Sequence, residues 1–359
     1  MKLARFELYS YRLPFSRPLT LGGLALRHRE GLLLRLSGDD GSVGWGESAS
    51  LPGFSREGPD QAASQLRWLA GSMMGREVTG TWVDLYGEFV RELGRAAPSV
   101  RFGLELAVWN LWAASSGSAL PQLVAPSPRV VVPVNGLLSG APVEVLDAAR
   151  RMRDAGYRSV KLKVGARTVA EDVGLVRALG EELGDDISLR LDANRAWSYE
   201  EAAKFVRGAS RFEFVEEPLA DPARLPDLAR DFGVPVALDE SLVGMDPEEL
   251  DKHRYARAFV LKPTLLGGIS QTLRVAQRAR GLGVTPVVSA AYESGVGIAA
   301  LVALAAGIGD RPVPVGLDTY RMVEGDVLAT PLGLPASSVD VREAADAART
   351  VDVRRLVRL

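Results

Sequence analysis

Between Val160 and Pro263 apolar and charged positions alternate in short runs that each end in charge: VKLKV at 160–164, LRLDAN at 189–194, FEFVEEP at 212–218, VALDES at 236–241 and FVLKP at 259–263. Side chains point to alternate faces of a strand, so Lys161 and Lys163 share one face while Val160, Leu162 and Val164 take the other. The same parity groups Asp192 with Arg190, Glu216 with Phe212 and Phe214, Asp239 with Ala237, and Lys262 with Val260. From Lys163 through Asp192, Glu216 and Asp239 to Lys262 the intervals are 29, 24, 23 and 23 residues. A strand, a turn, a helix and a return loop fill such an interval, as consecutive parallel strands require. The pattern thus predicts a lysine, three carboxylates and a second lysine at one end of a parallel sheet.

The flanking stretches extend this picture. Lys2–Pro14 and Gly31–Leu36 read as strands, and Gly38-Asp39-Asp40-Gly41 as a hairpin turn into a third strand at Ser42–Glu47. The polar, glycine-bearing stretch from Ser16 to Arg29 reads as a mobile flap, and Leu51–Ser55 as a loop with an exposed aromatic. Helical spacing covers Gln61–Leu69 and Val100–Trp112. These segments predict an α+β capping domain over residues 1–125, with Pro121, Pro126 and Pro128 marking the passage out of it.

From Val130 the βα rhythm begins, with a strand at Val130–Asn135 and a helix from Pro142 to Ala155 stopped by Gly156. Ser198–Glu201 forms a capping box, and Asp246-Pro247 opens another helix. Beyond Lys262 come a helix at Ser270–Gly281, a strand at Val284–Ser289, a helix at Gly297–Ala306 and a strand at Val313–Leu317. About seven or eight strands suffice to close a (β/α) barrel, whose active site lies at the C-terminal ends of its strands. The barrel is assigned to residues 126–321. Residues from about 322 to 359 return to the capping domain, with Ser337–Leu359 read as a surface helix or cap.

Composition narrows the chemistry. The 359 residues hold no cysteine and two histidines, His28 and His253, so thiolate and multi-histidine metal sites are ruled out. A net charge of −2 offers no basic surface for nucleic acid or an anionic membrane. With no apolar run of about 18 residues and no signal-peptide pattern at the start, a cytoplasmic location is the default. Assembly into a homo-oligomer stays open. Met245 and Trp197 read as packing residues and His253 as solvated.

Taken alone, Asp192 and Asp239 read equally well as helix N-caps, Glu216-Glu217 as a solvated loop, and Lys161 with Lys163 as an exposed strand edge. Together they fit a site better, because charges on strands with an apolar second face need a partner. Three carboxylates converging from adjacent strands suit Mg²⁺. A metal holding a substrate carboxylate steadies the charge left when the neighbouring carbon loses a proton. A neutral amine has to take that proton, and the positive charge of Lys161 and the metal favours a neutral Lys163. Proton abstraction next to a carboxylate is the reaction class this set describes, with a small-molecule carboxylate as substrate. A non-catalytic carboxylate-binding barrel would have lost a lysine or a ligand, and neither is lost.

The residues resemble the enolase superfamily, muconate-lactonising branch, over nearly the whole chain. The matching motifs are the KxK of Lys161 and Lys163, DAN at Asp192, EEP at Glu216, DES at Asp239 and KP at Lys262. The lysine base and Mg²⁺ are known properties of that superfamily. The resemblance implies an α/β fold, a modified TIM barrel of (β/α)7β form with an N-terminal α+β capping domain. It also implies Mg²⁺ on Asp192, Glu216 and Asp239, and Lys163 and Lys262 flanking the substrate. Within the superfamily, GWGE at 44–47, LPGFSRE at 51–57, SVRFGLELA at 99–107, LRLDANRAW at 189–197 and PVGLDT at 314–319 resemble the o-succinylbenzoate synthase family. That similarity implies dehydration of a succinyl-hydroxycyclohexadiene carboxylate, with Lys163 as base and then acid and Lys262 as a cation. It also implies that Asn194 and groups near Ser289, Ser294 and Gly316 bind substrate. The alternative is a dipeptide epimerase or N-succinylamino acid racemase using the same two lysines. Dipeptide epimerases carry an Asp-x-Asp on the last strand, where this chain has Gly316-Leu317-Asp318. Muconate cycloisomerase matches the loops at 44–57 less well. Mandelate-type racemases need a barrel histidine, which His253 does not supply.

Overall fold

The computed structural model describes residues 1–21, 23–78, 93–209 and 211–359. Three N-terminal strands, β1 (Leu3–Leu21), β2 (Leu24–Gly38) and β3 (Val43–Ser48), form an antiparallel meander. The first two are longer than the sequence pattern predicts. They stay paired from Leu3↔Gly38 to Leu21↔Leu24, with a register shift between Pro14 and Leu19. The stretch expected to be a flap is therefore a two-stranded arm, apart from Gly22, which lies outside the described residues. Pairing between the two halves of the arm overrides its polar, glycine-bearing composition.

The helix Pro98–Ser115 lies directly on β3. A Cβ at Gly46 would come within 1.9 Å of the Gly103 carbonyl, and one at Gly44 within 2.1 Å of the Ala107 carbonyl. The two glycines of GWGE therefore let strand and helix backbones meet. A second helix, Pro59–Ser72, covers the same sheet through Ala62, Leu66 and Leu69.

The barrel strands are β5 (Gly136–Leu138), β6 (Ser159–Lys163), β7 (Ser188–Asp192), β8 (Phe214–Glu216), β9 (Val236–Leu238), β10 (Ala258–Leu261) and β11 (Thr285–Val288), hydrogen-bonded in chain order and all parallel. Preceding them, β4 (Val131–Pro133) pairs instead with β12 (Ser338–Asp340), so the single strand expected at 130–135 is divided. The predicted last strand at 313–317 is reduced to two parallel bridges, Val134↔Val315 and Ser289↔Gly316. Those bridges join both edges of the seven-stranded sheet and curl it into a ring, giving the (β/α) barrel.

The helix Gly295–Gly307 is apolar on all sides and buried from Gly295 to Ala306, as an unpolarised helix must be. No described helix is long and apolar enough to cross a membrane. The C-terminal stretch is not one surface helix: β12 leads to the helix Val341–Ala347, and β13 (Val357–Arg358) pairs with β1. Trp197 is buried and stacks on Phe205 at 4.4 Å, as a packing residue. His253 is half-buried beside Tyr255 rather than fully solvated.

Candidate active site

The strand register sets the site. Lys163 pairs with Asp192, and Asp192 with Glu216, across β6, β7 and β8. Asp239 follows the last residue of β9 and Lys262 the last residue of β10. Five strand ends thus present the predicted lysine–carboxylate–lysine series on one rim. An open cleft lies above them. Lys161, Lys163, Asp192, Glu216 and Lys262 line it, together with Leu51, Phe54 and Tyr292.

Asp192, Glu216 and Asp239 are all buried. The Lys161 ammonium stands 2.9 Å from Asp192 Oδ2 and 2.6 Å from Glu216 Oε2, and the Lys262 ammonium donates to Asp239 Oδ2. Burial works against the charge of Lys161, but Asp192, Glu216 and Asp239 outweigh it and hold its pKa above the ordinary lysine range. Lys262 is raised in the same way, burial being outweighed chiefly by Asp239. The carboxylates divide. Burial and the like charges of Asp192 and Asp239 push Glu216 up against the pull of Lys161. Burial also opposes the charge of Asp192, but Lys161 and Lys163 hold its pKa down. Among the described residues no three acidic groups stand closely enough together to enclose an ion, and Lys161 and Lys262 are paired with the three carboxylates. Three buried, hard-oxygen carboxylates on adjoining strand ends nonetheless have the donor chemistry for a divalent cation.

Lys163 donates to Asn194 Oδ1 at 2.9 Å, and Asn194 donates from Nδ2 to Glu240 Oε1 at 3.2 Å. Asn194 lines the cleft, as do Ser289 and Gly316. A Cβ at Gly316 would sit 2.5 Å from Ser289 Oγ, so a larger residue there would have to turn the serine hydroxyl aside. Ser294 is not brought into the cleft. Its N–H and hydroxyl donate to the buried Glu47 at 2.8 and 2.6 Å, and Gly297 N–H donates to the same carboxylate at 2.8 Å. Its predicted place beside the substrate gives way to a latch between β3 and the helix Gly295–Gly307.

Several functional supports escaped the sequence reading. Glu217 is fully buried and accepts from Asp239 N–H at 3.0 Å, Ser241 N–H at 2.8 Å, Ser241 Oγ at 2.9 Å and Arg195 Nε at 3.0 Å. It fixes the turn that carries Asp239. Asn194, Arg195, Glu217 and Tyr292 adopt positive φ, and all four follow strand ends on the catalytic rim. Strain of this kind collects where surrounding bonds over-determine a functional geometry. Glu105 lies in the apolar run FGLELAVW, and its carboxylate accepts from Ser270 N–H at 2.9 Å. The signal for it was a lone charge inside a buried helix face.

The chain is similar to known proteins over most of its length. Residues 144–345 match the family described as enolase C-terminal domain-like, and residues 3–111 match the MenC N-terminal domain. An o-succinylbenzoate synthase of Pasteurella multocida is 33% identical over 336 residues, covering 91% of this chain and 92% of that protein. One from Haemophilus influenzae is 34% identical, covering 90% and 92%. The dipeptide epimerase of Enterococcus faecalis, solved with Mg and L-Leu-L-Tyr, superposes with a TM-score of 0.87 at 22% identity, over 98% of this chain and all of that one (100%). It shares the fold. Motifs, two domain models and near-full-length relatives converge, and the chain belongs to the o-succinylbenzoate synthase family of the enolase superfamily.

Proposed function

We propose that the protein dehydrates 2-succinyl-6-hydroxy-2,4-cyclohexadiene-1-carboxylate to o-succinylbenzoate, a carbon–oxygen lyase step of menaquinone biosynthesis. The observation that carries this reading is that Lys163 and Lys262 face one cleft across three buried carboxylates. Asp192, Glu216 and Asp239 are the residues that would hold Mg²⁺. Bound there, the ion supplies positive charge for the substrate carboxylate and for the negative charge that gathers on it as the α-proton leaves.

Lys163, as the neutral amine, takes the proton from the carbon bearing the carboxylate. The electron pair left behind forms the new ring double bond as the neighbouring carbon–oxygen bond breaks. Lys163, now an ammonium, returns its proton to the departing hydroxide, so water leaves and the ring becomes aromatic. One lysine acting twice on one face requires syn elimination. Lys262 stays an ammonium and steadies the anion from the other side. Lys161 keeps Asp192 and Glu216 in place, and Asn194 orients Lys163. Asn194, Ser289 and Gly316 contact the substrate.

Epimerisation of a dipeptide needs an acid free to hold an ammonium. Asp318 Oδ2 accepts from Leu137 N–H and from Arg321 Nε, both at 2.8 Å, so its charge is already matched, although Oδ1 has no protein partner. That supports dehydration over epimerisation. A cytoplasmic enzyme acting on a small carboxylate, without nucleic acid or membrane, is part of the same reading. The test follows loss of the cyclohexadiene with and without excess chelator. Turnover restored by Mg²⁺ supports it, and full turnover in metal-free enzyme defeats it.

A further inference from the structure

Among the described residues Tyr292 is the one aromatic residue at positive φ, with φ 62°. That region crowds Cβ against the backbone and is unusual for an aromatic residue. One guanidinium holds it there. Arg29, buried, donates from Nε to the Tyr292 carbonyl at 2.8 Å and from Nη2 to the Ala291 carbonyl at 3.3 Å. The same group reaches across to the N-terminal segment, donating to the Ala49 and Ser50 carbonyls at 2.6 Å each and to the Glu30 carbonyl at 3.0 Å. From the other side, Ala291 N–H donates to Glu293 Oε2 at 2.6 Å.

The two segments tied by Arg29 both reach the lining of the catalytic cleft. Leu51 and Phe54 follow directly on Ala49 and Ser50, and Ala291 and Tyr292 line the cleft themselves. The Tyr292 ring meets Phe15 of the arm edge-on, at 5.7 Å and 83°. Among the described residues none pairs with its hydroxyl. The barrel strands give the cleft lysine, carboxylate and the aliphatic Val260 and Val287, but nothing flat for the faces of a six-membered carbon ring. Phe54 and Tyr292 are flat, and Leu51 adds apolar surface beside them.

We propose that Tyr292 is a substrate-contacting wall of the cleft, and that Arg29 is a positioning residue that fixes the distance between this wall and the one bearing Leu51 and Phe54. The substrate named rests on the proposed dehydration; the wall itself does not. Glycine or asparagine adopts this φ with less strain, yet a tyrosine stands here, and its ring both packs on Phe15 and lines the cleft.

The test compares the wild-type enzyme with Tyr292→Gly and Arg29→Met by melting temperature, kcat and KM in Mg²⁺. Glycine relieves the backbone but removes a ring buried against Phe15, so Tyr292→Gly should melt lower than wild type, and the decisive readout is the split between KM and kcat. Its KM should rise at least about tenfold with kcat within roughly threefold, the pattern of a contact made equally in ground and transition states. Arg29→Met should raise KM by a similar factor and also melt lower. Where that variant fails to fold, Arg29→Lys, which cannot make five forked bonds, should show the same KM rise. A Tyr292→Gly enzyme whose KM stays within about threefold of wild type, or whose loss falls on kcat alone, overturns the proposal. A wild-type enzyme that ignored the cyclohexadiene but racemised an N-succinylamino acid would defeat only the proposed dehydration. The same KM ratios, read on that substrate, would then decide the wall.

Discussion

Lys161 Nζ lies 2.6 Å from Glu216 Oε2, so the lysine next but one before Lys163 is bonded to the middle carboxylate of the triad. The pair joins β6 to β8 across β7. Removing the ammonium leaves three buried carboxylates facing one another, which costs several kcal/mol unless a cation replaces it. Lys161→Ala should therefore melt lower than wild type without metal, and Mg²⁺ should raise its melting temperature by more than it raises that of wild type. Asp192→Asn, Glu216→Gln and Asp239→Asn should each lower kcat/KM by at least about a hundredfold, with the far-ultraviolet circular dichroism unchanged. Equal Mg²⁺ stabilisation of Lys161→Ala and wild type would contradict the charge accounting.

The two flanking lysines should separate by chemistry. Lys163→Ala should abolish exchange of the substrate α-proton with solvent deuterium, because Lys163 is the only base assigned to that face. Lys262→Arg should keep part of the dehydration, since a cation is what that side requires, whereas Lys262→Ala should be nearly inactive. Proton NMR of the substrate in deuterium oxide reads the first and product absorbance the second. If Lys262→Arg were dead while Lys163→Arg turned over, the two roles would have to be exchanged.

Glu217 receives three hydrogen bonds from the turn that holds Asp239 and a fourth from Arg195 Nε. Glu217→Ala leaves the Asp239 and Ser241 N–H groups and Arg195 Nε without that acceptor. It should destabilise the fold by about 2–4 kcal/mol. Denaturant titration measures that loss. Saturating Mg²⁺ should recover less of it than it recovers in a variant away from the turn.

Burial lifts the carboxyl of Glu105 from its ordinary value to about 7, although its backbone hydrogen bonds and Arg101 pull the other way. A carboxyl with a raised folded pKa holds its proton longer in the folded state than in the unfolded one. Between about pH 4.5 and 7 the folded state therefore binds more protons, and stability falls as pH rises, by at most about 1.4 kcal/mol per unit from this group. Below that window the group exacts nothing, and above it the loss is complete. Glu105→Gln removes the titration, so its melting temperature relative to wild type should climb across the window and level off above pH 7. A constant difference from pH 4.5 to 8 would mean that Glu105 does not titrate there.

How much of this was legible in the chain follows from where each residue's partners lie. The gathering of lysines and carboxylates on one rim could be read because strand parity and a repeat of 23 to 29 residues are local patterns, and both survive in β6 to β10. The Ser16–Arg29 arm was misread because only its cross-strand pairing, invisible to local composition, makes it a strand. Arg29, Glu47, Glu105 and Glu217 were missed for a related reason. Their partners lie far along the chain and include main-chain groups, such as the Ser294 N–H for Glu47 and the Tyr292 carbonyl for Arg29, which leave no mark on the residue pattern. Ser294 was drawn to the substrate by motif similarity alone, whereas its hydroxyl is held by Glu47.

The central claim is that this site expels water from a ring rather than inverting a carbon. Its most direct measurement is a side-by-side assay of the purified, Mg²⁺-loaded protein on the cyclohexadiene carboxylate, a panel of dipeptides and N-succinylamino acids. The account expects kcat/KM for o-succinylbenzoate formation to exceed that for any epimerisation or racemisation by at least about a hundredfold, roughly 2.7 kcal/mol of transition-state binding. Asp318→Asn should leave that ratio standing. A dipeptide or N-succinylamino acid turned over faster than the cyclohexadiene would contradict the account.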